Sequence, residues 1–146
     1  MPLPPLPDPE DRARRLAGLA RGLPAAGLLG ATLLGLNLAQ TASVLVLPVS
    51  RRKFRAFNRW AADLWWGWCV RLGEMVQGIG VEYSGDEVPG KENAIVVVNH
   101  QQMADITFLM FLARAGRRLG DLKWMVKDVV KWVPGVGWGL YLLDSF

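Results

Sequence analysis

Between Leu23 and Val49 the chain carries no charged residue, and any fold must accommodate that run. Pro24 and Pro48 sit near its two ends as helix punctuation, so it reads as one helix. At 1.5 Å per residue such a helix would extend about 36 Å, enough to cross a bilayer with some tilt. A cleaved signal peptide is the weaker reading, because the leading segment is long and partly acidic and the apolar run exceeds a signal core. Gly27, Ala31 and Gly35 follow one another at four-residue steps. They are either a stripe for close approach of a second helix or ordinary glycine enrichment.

The remainder of the composition agrees with a membrane setting. Hydrophobic residues make up 51% of the chain beside 21% charged residues, and the mean hydropathy is +0.19. The net charge of +4 comes from basic residues placed beside apolar runs, not along one polar stripe. That arrangement suits anionic lipid head groups and argues against nucleic acid as a partner. Basic residues flank the run on both sides, Arg12, Arg14, Arg15 and Arg21 before it and Arg51, Arg52, Lys53, Arg55 and Arg59 after it. Orientation therefore stays open, with Arg51 leaning to the cytoplasmic side of an inner or cytoplasmic membrane. Cys69 is the only cysteine and His100 the only histidine. An internal disulfide is impossible and the usual zinc sites cannot be assembled.

Four segments follow from these patterns. Residues 1–22 are expected as a disordered, proline-rich and then basic tail, and residues 23–49 as a transmembrane or membrane-embedded helix. Residues 50–78 form a tryptophan-rich helix that places Arg55, Arg59, Asp63, Gly67, Arg71 and Glu74 on one stripe. It either lies in the membrane interface, its basic stripe meeting phosphates, or is a core helix. Residues 79–146 alternate short apolar runs with turn residues, which predicts an α/β core. Strands are expected over 80–84, 94–98 and 122–126, a buried helix over 106–113, a helical turn over 127–132 and a loop over 134–137.

The chemistry concentrates where the run Ile95 to Val98 ends in Asn99 and His100, with Asp105 opening the next helix. A turn there can bring the Asp105 carboxylate to one imidazole nitrogen and leave the other to accept a proton. The competing reading is structural: Asp105 as a helix cap, and His100 satisfying local hydrogen bonds. No Ser or Cys nucleophile signature lies nearby, so such a base would activate a hydroxyl on the substrate. The glycines at 135, 137 and 139 lack the preceding strand and spacing of a dinucleotide loop, and there is no Gly-x-Ser-x-Gly elbow.

The run Asn99-His100-Gln101-Gln102-Met103-Ala104-Asp105 resembles the Asn-His-x4-Asp motif of 1-acylglycerol-3-phosphate acyltransferases and related lysophospholipid acyltransferases. The resemblance covers roughly Arg51 to Phe146. It includes Lys123 to Lys127 and Val133-Pro134-Gly135-Val136-Gly137-Trp138, which look like the family's lysine-containing segment and Pro-x-x-Gly. It implies an N-terminal membrane helix and an interfacial helix, followed by a partial acyltransferase-like sheet with flanking helices. The implied activity transfers an acyl group from acyl-CoA or acyl carrier protein to the free hydroxyl of a lysophospholipid, above all lysophosphatidic acid, in phospholipid biosynthesis or remodelling. His100 then serves as base and Asp105 as its orienter. Asn99 and Lys127 fall at substrate-binding positions, with Lys123, Lys131 or plain solvation as alternatives to Lys127. No cofactor is implied beyond the acyl thioester, which is itself a substrate. The family's later arginine-bearing strand and Glu-Gly-Thr-Arg-like motif have no counterpart before Phe146, so the expectation is a C-terminally truncated member. The alternative is a catalytically incomplete membrane-interface protein held to lipid by Arg55, Arg59 and Arg71.

Overall fold

The computed structural model describes residues 12–86, 92–100 and 103–145. Helix α1 spans Arg12–Ala42 and passes through a 3-10 turn, Ser43–Val46. It is long and apolar enough to cross a membrane. Residues 12–22, expected within a disordered tail, are helical instead, because their Ala, Leu and Arg content favours helix. The expected tail over 1–11 lies outside the described residues. Pro24 thus sits inside the helix and not at its start.

The side chains of α1 are arranged inside out. Its packed stripe runs through Leu29, Leu33, Leu36, Asn37 and Gln40 to Ser43, and Asn37 is 3% exposed. Other leucines of α1 point outward, Leu38 being 75% exposed, as does Leu45 of the 3-10 turn at 81%. A helix surrounded by water does the reverse, so this pattern fits lipid around the outer face and protein around the polar one. Thr32 fits it as well, bonding its hydroxyl back to the Leu28 carbonyl at 2.9 Å. The glycine stripe at 27 and 35 has open space over both positions. It is not the surface on which the next helix packs.

Helix α2 spans Arg51–Gln77. Ser50, in extended backbone, caps its start by accepting from the Lys53 N–H. Gly78, at φ 65°, closes its end in the left-handed conformation that glycine adopts without strain. The chain doubles back, so α2 lies antiparallel against α1. Asn58 donates to Ser43 Oγ at 3.0 Å, and further along Trp65 Nε1 donates to the Leu29 carbonyl at 3.2 Å. The buried face of α2 is Phe54, Asn58, Ala61, Ala62, Trp66 and Val70, spaced as successive turns of a helix.

Helix α3 spans Met103–Ala115, matching the helix expected over 106–113. It docks on α2 through buried Phe111 and a two-pronged Arg114–Glu74 pair, one prong at 2.9 Å. A 3-10 turn at Leu119–Asp121 then seats on α2, where the Gly120 N–H donates to Asp63 at 3.2 Å. A second turn, Asp128–Trp132, fulfils the helical turn expected there. Helix α4 spans Val136–Leu142 and packs on both that turn and α1. The core is formed by Ala62, Trp66, Leu119, Leu140 and Leu143, with Trp66 stacked on Trp124 at 5.2 Å.

One expectation is not met. Among the described residues there is no strand: segments 80–84, 94–98 and 122–126 form no ladder with one another. A strand is defined by a neighbour for its N–H and C=O groups, and β-branched sequence alone supplies none. Ile95 and Val97 accordingly stand 90% and 89% exposed. The basic stripe of α2 carries two ion pairs whose arginines stay exposed. Arg55 pairs with Asp144 at 3.0 Å and Arg59 with Asp121 at 3.1 Å. Trp65 and Trp66 face inward, while Trp60 and Trp68 stay exposed.

Candidate active site

The segment ending at His100 is held at two points. Near its start, Arg118 donates to the Glu92 carbonyl at 3.4 Å. At its end, His100 Nδ1 lies 3.2 Å from Asp105 Oδ2. The carboxylate is positioned by α3, since Asp105 occupies the first helical turn, where the backbone N–H groups and the helix dipole favour negative charge. The Asp105 side chain is 24% exposed and that of His100 54% exposed, so the pair sits at an accessible edge.

An imidazole Nδ1 facing a carboxylate favours the tautomer with its proton on Nδ1. Nε2 is then the ring's acceptor, and the exposure of His100 allows a substrate to reach it. Of the four residues singled out in the sequence, the structure brings His100 and Asp105 together. Asn99 precedes them in the exposed segment. Lys127 lies on a different element, exposed at the start of the Asp128–Trp132 turn.

Sequence reasoning passed over the contacts that hold α3 in register. Arg114 draws the Glu74 carboxyl below the ordinary glutamate range, chiefly through their hydrogen bond, and the Arg114 guanidinium is raised in return. The signal was available, because a cation in the last turn of α3 complements that helix's negative end. Its partner on α2 could not be identified from spacing alone. Burial pushes the half-buried Cys69 thiol up to about 11, which makes it a packing residue and not a reactive one.

The Acyltransferase family profile matches residues 80–146, the stretch that contains the His100–Asp105 pair. The 1-acyl-sn-glycerol-3-phosphate acyltransferase 2 of Brassica napus is 31% identical over 105 residues, covering 69% of this chain and 27% of that protein. Its Arabidopsis thaliana counterpart is 30% identical, covering 76% and 30%. The human 1-acyl-sn-glycerol-3-phosphate acyltransferase gamma is 28% identical, covering 75% and 30%. No solved structure matches. Over residues 80–146 the chain matches the acyltransferase family. Within it, the similarity is to enzymes of the 1-acylglycerol-3-phosphate O-acyltransferase type, and the chain spans less than a third of the length of these relatives.

Proposed function

We propose that His100 and Asp105 carry acyl transfer from an acyl thioester to the free hydroxyl of lysophosphatidic acid. The observation that supports this most directly is the 3.2 Å contact between His100 Nδ1 and the Asp105 carboxylate, on an exposed edge. In the proposed step His100 Nε2 takes the hydroxyl proton as the substrate oxygen attacks the thioester carbonyl. The tetrahedral intermediate then collapses, the C–S bond breaks, and the imidazolium returns its proton to the leaving thiolate. Asp105 fixes the ring and stabilises the transient cation. Acyl-CoA or acyl carrier protein would deliver the thioester, with Asn99 and Lys127 contacting the acceptor and its phosphate.

The inside-out pattern of α1 supports a membrane location. Because α2 lies against α1 and carries Arg59, Asp63 and Arg71, an upright α1 would draw those charges into hydrocarbon. We therefore place α1 embedded with its outer leucine face in the acyl region. The site then lies on the same side as Arg51 and Lys53, the cytoplasmic one.

The only histidine in the chain provides a clean test. Diethyl pyrocarbonate should abolish transfer as one imidazole is modified, and lysophosphatidic acid should protect it. Full modification with transfer retained would refute the assignment.

A further inference from the structure

The chain between Lys131 and Asp144 is uncharged, as α1 is over its apolar run, but it is much shorter. Helix α4 has 7 residues, or about 10 Å, against the roughly 30 Å of a bilayer core. Glycines let its backbone press directly on the middle of α1. A Cβ at Gly135 would lie 2.9 Å from a Leu33 methyl, and one at Gly139 would lie 3.6 Å from the Asn37 amide. Leu33 and Asn37 fall near the centre of the uncharged run of α1.

Two segments packed this closely share a depth to within about one helix diameter, roughly 10 Å. Whatever surrounds the outer face of α1 therefore reaches α4. The side chains that α4 and the preceding turn leave uncovered suit such a place. Val129, Trp132, Val133, Val136, Trp138 and Tyr141 are exposed, Trp132 to 84% and Tyr141 to 72%. The indole and phenol rings match the boundary between acyl chains and head groups. The backbone of the turn is also fit for low water: the Gly137 N–H bonds the Val133 carbonyl at 2.9 Å and the Gly139 N–H bonds the Gly135 carbonyl at 3.0 Å.

We propose that the face formed by Val129 to Tyr141 is a second membrane contact, seated in the carbonyl and upper acyl region of a phospholipid bilayer beside α1. It rests on the reading of α1 as membrane-embedded. The two contacts together would fix how the acyltransferase portion stands on the bilayer.

Nitroxide labels report the depth of single sites. In a Cys69→Ala background, the chain would be labelled at Trp138→Cys, Tyr141→Cys, Leu38→Cys and Glu82→Cys and reconstituted in phosphatidylcholine–phosphatidylglycerol vesicles. Collision with oxygen should dominate at 38, 138 and 141, and collision with a soluble nickel chelate at 82. Nickel-dominated collision at 138 and 141 with oxygen-dominated collision at 38 would overturn this proposal alone. Nickel-dominated collision at 38 as well would overturn the reading of α1 and this proposal with it. A Trp132→Phe, Trp138→Phe variant guards against label-induced misfolding. It should lose part of the fluorescence quenched by brominated phospholipid in the parent chain, and unchanged quenching would also overturn the proposal.

Discussion

Replacing Gly120 by alanine should loosen the seam between α2 and the rest of the protein, whereas the same change at Gly30 should not. A Cβ at Gly120 would lie 2.4 Å from the Arg59 carbonyl oxygen and 2.9 Å from Asp63 Cβ, where ordinary contact begins at 3.4 Å. The oxygen is helix backbone and cannot rotate away, so the turn must retreat by about 1 Å, an overpacking cost of ~1–3 kcal/mol. The retreat stretches the Gly120 N–H bond to Asp63, already 3.2 Å, at a further cost of ~1–2 kcal/mol. The expected loss is about 2–5 kcal/mol, a large part of the 5–15 kcal/mol that a typical domain possesses. Over Gly30 there is nothing within 4 Å. Alanine there should gain about 0.5–1 kcal/mol from lower backbone entropy in the unfolded chain. Urea unfolding followed by far-ultraviolet circular dichroism in one detergent compares the two. A midpoint for Gly120→Ala at or above that of the parent chain would refute the close approach.

The two stacked tryptophans should respond unequally. Trp66→Ala should cost about 3–5 kcal/mol as a buried aromatic deletion, measured by the same unfolding midpoint. Trp124→Phe should cost much less, because the buried Trp124 Nε1 has no hydrogen-bond partner among the described residues and phenylalanine removes that donor. Acid should weaken the docking of α3. The folded-state Glu74 carboxyl lies below its unfolded value, so its contribution is complete above the ordinary glutamate range and drains away as pH falls through the lowered value. Glu74→Gln should therefore flatten the acid limb of a stability-against-pH curve. Asp105→Asn should lower transfer by about 10²–10⁴-fold while the α3 circular dichroism signal persists.

The parts legible in the sequence are those governed by local pattern. The uncharged run at Leu23 to Val49, the stripe Arg55, Arg59, Asp63 and Gly67, and the apolar run after Asp105 each declare a helix through local pattern. The meeting of His100 and Asp105 was legible for the same reason, since the two lie only five residues apart. What was not legible depended on partners distant in the chain. Whether Ile95 to Val98 become a strand depends on a neighbour that the segment does not encode. The fates of Arg55 and Arg59 were decided by Asp144 and Asp121, 89 and 62 residues away. Helix α1 starts before Pro24, since a proline removes one N–H bond while the Ala, Leu and Arg residues ahead of it keep their helical preference.

The most direct test is transfer of a labelled acyl group from acyl-CoA to lysophosphatidic acid by membranes carrying this chain, beside membranes carrying His100→Ala at equal abundance. The account expects transfer by the first and its loss in the second, with both proteins still in the membrane fraction. Equal transfer by the two would contradict His100 as the base, and no transfer by either would contradict the proposed activity for these residues.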